Sequence, residues 1–514
     1  MTSRDAAPGL PTGADYLESL RDGREVWAYG ERIGDVTAHP AFRNSARSLA
    51  RLYDALHDPA LAGRLLAPTD TGSGGLTHPF FKAARTVEEL RASQEACRAW
   101  AELSYGWMGR SPDYKAAMLG AVGADPDWYG EYAPNARAWY RRVQEGVLYL
   151  GHAIVNPPVD RGKGPDEVGD VFVHVEEETD GGIVVSGAKV VATASALTQH
   201  IYVAHAGMIP VASKAFGLVF IADTAASGVK LFARASYEQV AAATGSPFDY
   251  PLSSRLDEND SILVFDRVLI PWENVLVYDV DKANAHHVQS DWSSRAMMQS
   301  ATRMLVKLEF LIGLVSKALD VKGGGDAMPI QTQLGEMVVY RNTVAGLVEA
   351  MVASAQPHAN GQAVVPNRDY AYAYSALAPN FYDRIRVLVN TIVASGLIYL
   401  NSNAVDFAAP EVRPYLDRYL RGSNGLTAVD RSKTMKLLWD AVGSEFGGRH
   451  ALYERNYFGP PELHNFLSAQ TAKHTGALER YRALVERCMA DYDLQGWTAP
   501  DLIDPGEVSM LARS

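Results

Sequence analysis

Apolar residues change their spacing twice along the chain, and the two changes divide it into three regions. Up to about residue 150 they recur at helical intervals, over 46–57, 87–102 and 135–150. Gly, Pro and Asp turns separate these stretches, as in Pro68-Thr-Asp-Thr-Gly72 and Ala124-Asp-Pro-Asp127. Thr86, followed three residues later by Glu89, predicts a capped helix start. From about 151 to 290 the pattern becomes short β-branched runs, at 171–175, 182–186, 189–192, 201–204, 217–221 and 261–265. No long helical stretch intervenes, so an antiparallel barrel or sandwich is expected rather than alternating βαβ units. Helical periods return over 297–319, 331–355, 385–400, 433–442 and 475–491, enough for a bundle. The expectation is an α+β fold with three domains: 1–150 mostly helical, 151–290 all β, and 291–514 a helical bundle ending in an extended tail from Trp497.

Bulk properties narrow the function classes. A chain of 514 residues exceeds what one core organises. A net charge of −12 argues against a general nucleic-acid binder, which needs a basic face, and leaves room for a local basic patch. No apolar run approaches the roughly twenty residues of a membrane span, and the N-terminus lacks an apolar signal core. Cys97 and Cys488 are the two cysteines, which predicts no disulfide framework and a cytoplasmic protein. Two thiols also fall short of the roughly four ligands of an iron–sulfur cluster. His286 and His287 would point about 100° apart on a helix with no partner carboxylate motif, so no metal site is expected. No G-x-G-x-x-G follows a strand, and neither a P-loop nor a serine elbow is present; Gly323-Gly-Gly325 follows a helical stretch.

Two segments about forty residues apart carry the candidate chemistry: Tyr105-Gly-Trp-Met-Gly-Arg110-Ser-Pro-Asp-Tyr114 and Gly151-His152-Ala-Ile-Val-Asn156-Pro157-Pro158. Arginine, tyrosine and histidine suit the oxidation of a phenol. The oxygen must be held, its proton removed and the resulting charge stabilised. Phe265-Asp-Arg-Val-Leu-Ile-Pro271-Trp272 reads as a strand ended by proline, with the indole available for packing between domains.

With Ser186-Gly-Ala-Lys-Val-Val-Ala-Thr193, Ser254-Arg-Leu-Asp-Glu-Asn-Asp260 and Gly443-Ser-Glu-Phe-Gly-Gly-Arg449…Tyr453-Glu-Arg455, these segments make five motifs in order. They resemble the large component of the 4-hydroxyphenylacetate 3-hydroxylase family over nearly the whole chain, and its enediyne-pathway members that hydroxylate a β-tyrosyl group on a carrier protein in particular. The α–β–α order likewise resembles the acyl-CoA dehydrogenase architecture, with flavin between β domain and bundle. The resemblance implies an enzyme using FADH2 from a separate flavin reductase, with O2 as co-substrate, to hydroxylate a phenol ortho to its hydroxyl through a C4a-hydroperoxyflavin. It places Arg110, Tyr114 and His152 at the phenolic oxygen. His152, Asn156, Pro158, Val159, Asp160, Arg161, Thr193, Gly443, Ser444, Glu445 and Phe446 would contact the flavin. Pro158 stands where many family members have Gln, which removes a side-chain amide there. His205–Phe216 could close over the site.

The implied substrate is a tyrosine or β-tyrosine group on a peptidyl carrier protein, and the implied assembly a homotetramer built through the bundle. Arg141-Arg142 and Arg161/Lys163 are candidate docking cations. Three alternatives stay open: a hydroxylase of a free small phenol such as 4-hydroxyphenylacetate, a flavin dehydrogenase with Glu445 as base, and a scaffold with a decayed flavin site.

Overall fold

The computed structural model describes residues 9–160, 162–205, 209–494, 496–499 and 501. Arg161, three residues of the 205–216 segment and most of the expected tail lie outside the described residues. The α–β–α order expected for an acyl-CoA dehydrogenase-like fold is present.

Two sheets form the middle of the molecule. The larger contains β1 (Glu25–Ala28), β2 (Glu31–Ile33), β4 (His174–Thr179), β5 (Gly182–Thr193), β8 (Val229–Ala233) and β9 (Asp260–Pro271), in the order β2-β1-β8-β9-β5-β4. The smaller contains β3 (Leu150–Ala153), β6 (His200–Ala204), β7 (Leu218–Asp223) and β10 (Val275–Tyr278), in the order β10-β7-β6-β3. Phe220 of β7 meets Phe265 of β9 at 5.7 Å between ring centres, so the sheets share a core. β6 and β7 are buried almost throughout, whereas β9 alternates between buried and outward residues.

Three features depart from the sequence pattern. β1 pairs with β8 and β3 with β6 in parallel, so the sheets are not purely antiparallel. The larger sheet recruits β1 and β2 from the stretch read as mostly helical. Their hairpin turns at Tyr29 and Gly30, both with positive φ, 53° and 80°. That backbone favours Asn-Gly, and Tyr-Gly conceals it. The runs at 182–186 and 189–192 are one strand, β5, whereas the run at 171–175 enters β4 only at His174.

The helices of eight or more residues are α1 (Arg43–Asp54), α2 (Val87–Leu103), α3 (Pro112–Ala124), α4 (Ala133–Gly146), α5 (Tyr237–Thr244) and α6 (Val280–Gln289). The bundle follows as α7 (Trp292–Lys322), α8 (Met328–Ala353), α9 (Arg368–Val393), α10 (Ala428–Val442), α11 (Glu445–Arg455), α12 (Pro461–His474) and α13 (Ala477–Met489). Thr86 caps α2 as expected, its side chain accepting from Glu89 N at 3.2 Å, while Glu89 reaches Arg85 N instead of closing the box. α9 begins well before the predicted 385 because Pro379 sits inside it, and an internal proline reads as a break. The motif-bearing loop 104–111 lies between α2 and α3, against the bundle. Gly106, with φ 74°, is required there because a Cβ would strike the backbone of Lys307 on α7.

Candidate active site

Arg110 stands at the end of that loop, held from behind. Both oxygens of buried Glu258 accept backbone N–H groups, from Gly109 at 3.0 Å and from Arg110 at 2.6 Å. Tyr149 donates its hydroxyl to the Arg110 carbonyl at 2.6 Å. Gly109 must lack a side chain, since a Cβ would fall on the Tyr453 hydroxyl. The guanidinium lies 3.8 Å from the Tyr457 ring centre, 4.1 Å from Tyr114 and 5.1 Å from Tyr453. Faces of π rings stabilise a cation without neutralising it. Nη2 donates to the Tyr457 carbonyl at 2.8 Å, but Nη1 is buried without a partner. An unpaired donor on a buried cation is costly in isolation and well suited to an arriving anion.

His152 lies on β3, its ring 5.6 Å from that of Tyr114. The structure thus brings together Arg110, Tyr114 and His152. It adds Lys115, whose Nζ lies 2.6 Å from His152 Nδ1 and donates to the Thr193 carbonyl at 3.2 Å. Burial, then the charges of Lys115 and Arg110, push His152 well below the usual imidazole range. Burial and Arg110 push Lys115 well below the ammonium range, while burial raises Tyr114 and keeps its phenol protonated. With its amine uncharged, Lys115 can accept a hydrogen bond from Nδ1–H of a neutral imidazole, which leaves Nε2 as an acceptor; Nε2 makes no hydrogen bond among the described residues.

Thr193 ends β5. Its hydroxyl donates to Asp260 Oδ1 at 2.6 Å, and Asp260 receives Arg449 at 2.8 and 2.9 Å and Arg234 at 3.0 Å. Although burial opposes it, these guanidiniums hold Asp260 far below the usual carboxylate range. The register of β5 slips against β9 next to Ile262. Val191 takes a φ of 53° in that bulge and is 57% exposed. Left-handed backbone is strained for a β-branched residue, and bulges beside sites re-aim side chains. Val155, 46% exposed, bridges to Val190. Val155 and Val191, both exposed on the segments that carry His152 and Thr193, offer an apolar shelf that would suit a planar ring system such as flavin.

The remaining candidates divide. Asn156 Oδ1 is already taken by Lys189 at 2.7 Å, leaving its amide N–H for any ligand. Pro158, Val159 and Asp160 are exposed beyond the shelf, and Asp160 pairs with Lys163 at 2.9 Å. Gly443, Ser444, Glu445 and Phe446 are not in the Arg110 cluster. They join α10 to α11, where Ser444 caps α11 by accepting from Gly447 N at 3.1 Å. Ser444, Glu445 and Phe446 line a 250 Å³ cavity with Tyr237, Tyr250 and Trp439, and none of Arg110, Tyr114 or His152 lines it. The link is indirect: Phe446 packs on Trp107 at 5.6 Å, and Arg449, one turn along α11, reaches Thr193 through Asp260. Within the 205–216 segment, Val211 exchanges hydrogen bonds with Asn284 at 2.9 Å, and Ala212 and Ser213 donate to Asp166 at 2.8 Å.

Sequence reasoning left Lys115, Glu258, Asp260, Tyr457 and the roles of Arg449 and Tyr453 unassigned. Glu258, Asp260, Arg449 and Tyr453 all sat inside motifs that carried the resemblance. Lys115 had a weaker signal: with Asp113 it is one of two charged residues in an otherwise apolar helix, every residue of which is buried.

Residues 12–277 match the family model described as 4-hydroxyphenylacetate 3-hydroxylase N terminal, and 283–486 the corresponding C-terminal model. The chain is 55% identical to the (3S)-3-amino-3-(3-chloro-4-hydroxyphenyl)propanoyl-[peptidyl-carrier protein] monooxygenase of Streptomyces globisporus, over 96% of this chain and 93% of that one. It is 54% identical to the oxygenase component of a Rhodococcus 4-nitrophenol 2-monooxygenase, over 97% and 96%. A solved 4-hydroxyphenylacetate 3-monooxygenase oxygenase component, complexed with FAD and 4-hydroxyphenylacetate, superposes with a TM-score of 0.85 at 32% identity, covering 93% of this chain and 99% of that one. The chain belongs to the 4-hydroxyphenylacetate 3-hydroxylase family.

Proposed function

We propose that this chain is the oxygenase component of a two-component monooxygenase that hydroxylates a phenol ortho to its hydroxyl. The observation that carries the reading is the buried, unpartnered Nη1 of Arg110 and the unbonded Nε2 of His152, on side chains that both lie against Tyr114. Reduced FAD, which the valine shelf would hold, would supply the activation of O2 and the oxygen atom. The protein's part is to make and hold the phenolate. Nε2 of His152 takes the phenolic proton, Nδ1 passes its own to the amine of Lys115, and the charge formed on oxygen meets Arg110 Nη1. Tyr114 fixes the edge of the ring and, kept protonated, donates rather than competes as a second anion. A phenolate is electron-rich at its ortho carbon, so stabilising the anion in place also selects the position.

We favour a tyrosine-derived group, β-tyrosyl above all, tethered to a peptidyl carrier protein. The Streptomyces relative's carrier-bound substrate supports this. A free phenol is the second reading, supported by the nitrophenol relative. The dehydrogenase reading is weakened because Glu445 is exposed and lines a different cavity. A separate flavin reductase is the implied partner, and the cytoplasm the implied setting. Among the described residues, no helix is long and apolar enough to cross a membrane. A homotetramer built through the bundle would cover exposed apolar side chains such as Val339, Ile398, Leu452 and Phe466.

The test supplies FADH2 and O2 with β-tyrosine, free and carrier-loaded, and follows intact mass. Gain of one oxygen on the loaded carrier alone supports the tethered reading. Equal gain on free amino acid contradicts it and keeps the hydroxylase. No gain on either, with oxidised FAD tightly bound, favours the dehydrogenase.

A further inference from the structure

Away from the phenol site, α1 carries arginines at successive turns, Arg43, Arg47 and Arg51. Like charges four residues apart disfavour a helix, by roughly 0.2–0.5 kcal/mol per pair, so helix stability does not account for the stripe. Arg47 and Arg51 face Arg255 across an open groove of 440 Å³ that is also lined by Asn44, Ser48 and Ser254. No carboxylate lines the groove, and none of the three arginines forms an ion pair among the described residues. Arg47 has only a 3.5 Å contact to Asn44 Oδ1, and Arg255 Nε is buried without a partner. On a chain with net charge −12, three uncompensated guanidiniums converging on one concavity mark a site for an anion.

The groove is built rather than incidental. Ser48 donates to the Arg255 carbonyl at 2.6 Å and Asn44 to the Ser254 carbonyl at 3.0 Å, so α1 is fastened to the 247–256 loop that forms the other wall. That loop leads to the active site. Arg255 precedes Glu258 by three residues, which spans at most about 11 Å of chain, and Glu258 holds the backbone of Arg110. The Arg255 guanidinium also lies 5.5 Å from the ring of Tyr105, at the start of the Arg110 loop.

We propose that this groove binds the phosphodiester of the phosphopantetheine arm by which the carrier protein presents its phenol. Guanidinium forks suit phosphate oxygens, and a concavity of this size suits a phosphodiester better than a protein face. The proposal rests on the carrier-tethered reading. Arg142 and Lys163 serve less well: Arg142 is engaged by His200 at 3.3 Å and stacks on Trp139, and Lys163 is paired with Asp160.

The experiment compares wild type with the double variant Arg47→Glu/Arg51→Glu, and with Arg47→Gln/Arg51→Gln as a milder pair, both at exposed positions of α1. Binding of carrier protein with and without its phosphopantetheine arm is measured at two salt concentrations, beside turnover of a free phenol. The expected result is binding of the armed carrier weakened at least about tenfold in the Glu pair. The salt dependence should be shallower and the KM for the free phenol unchanged. Equal binding by wild type and both variants overturns the groove and leaves the tethered reading standing. Equal binding of armed and armless carrier by wild type also overturns it, since the phosphodiester then contributes nothing. Wild type that neither binds nor hydroxylates a loaded carrier overturns both readings at once, without reference to any variant.

Discussion

Arg110 and Arg303 are both buried and both lie against Tyr457, at 3.8 and 5.0 Å, yet they are satisfied in opposite ways. Arg303 on α7 is closed by Glu454, Nη1 to Oε1 at 2.6 Å and Nη2 to Oε2 at 2.7 Å, and Lys307 adds a third contact at 2.8 Å. Burial opposes ionisation of Glu454, but the two cations hold it down to about 2. Arg110 has ring faces and one carbonyl, with no carboxylate on its guanidinium and Nη1 unspent. Arg303 is a finished ion pair that fixes α7 against α11. Arg110 is a cation whose counterion is still to come. The contrast separates structural charge from functional charge where burial alone cannot.

Breaking the finished pair has the largest expected effect. Glu454→Gln leaves two buried cations uncompensated and costs about 3–5 kcal/mol of stability in urea unfolding. A loss under about 1 kcal/mol would mean that the bundle does not depend on the pair. Breaking the unfinished one has the opposite profile. Arg110→Met lowers kcat/KM for hydroxylation roughly 10²- to 10³-fold, with a smaller loss of stability than Glu454→Gln. Arg110→Lys does not restore activity, because an ammonium cannot lie flat between the rings and also present the Nη1 donor.

Lys115→Met sharpens the comparison. If Lys115 receives the relayed proton, kcat/KM falls roughly 10- to 100-fold. The acid limb of the pH profile also moves up towards an ordinary imidazole value, because the lysine no longer helps depress His152. An unmoved limb would assign Lys115 to packing alone.

The most gradual effect is on stability against pH. His78 and His286 are lowered by burial to about 3, and His152 and His450 are pushed well below the usual range by burial first and neighbouring cations second. The unfolded chain therefore takes up protons before the folded one. Stability is full above about pH 6.5 and declines as pH falls below it, by at most about 1.4 kcal/mol per unit for each histidine. For His78 and His286 the decline continues to about pH 3, where the folded rings titrate too. Urea midpoints at pH 7, 6 and 5 test this, and a flat series would contradict it.

Much of this was legible beforehand, for physical reasons. Long helical periods located α2 and α7 because a buried face repeats in sequence, and the five motifs led to the loop, the start of α3 and the strand that bring Arg110, Tyr114 and His152 together. What pattern could not show was partnership. Lys115 resembles any lysine until its amine is found 2.6 Å from an imidazole. The Glu258 carboxylate accepts only backbone N–H groups, which leave no trace in side-chain identity. Gly443–Phe446 sat in a family motif, yet the segment's place in a separate cavity depends on how α10 meets α11. The arginine stripe on α1 was not singled out from the sequence. Its meaning needed Arg255, some two hundred residues away, on the facing wall.

The most direct test of the central claim is the ionisation of a bound phenol. 4-Nitrophenol reports its own proton by absorbance, and its titration on wild-type enzyme, with and without FAD, can be set against Arg110→Met. The account predicts that bound nitrophenol ionises at lower pH than in water and that the shift is lost in the variant. A bound phenol that titrates as it does in water, or a shift that survives in Arg110→Met, would contradict it.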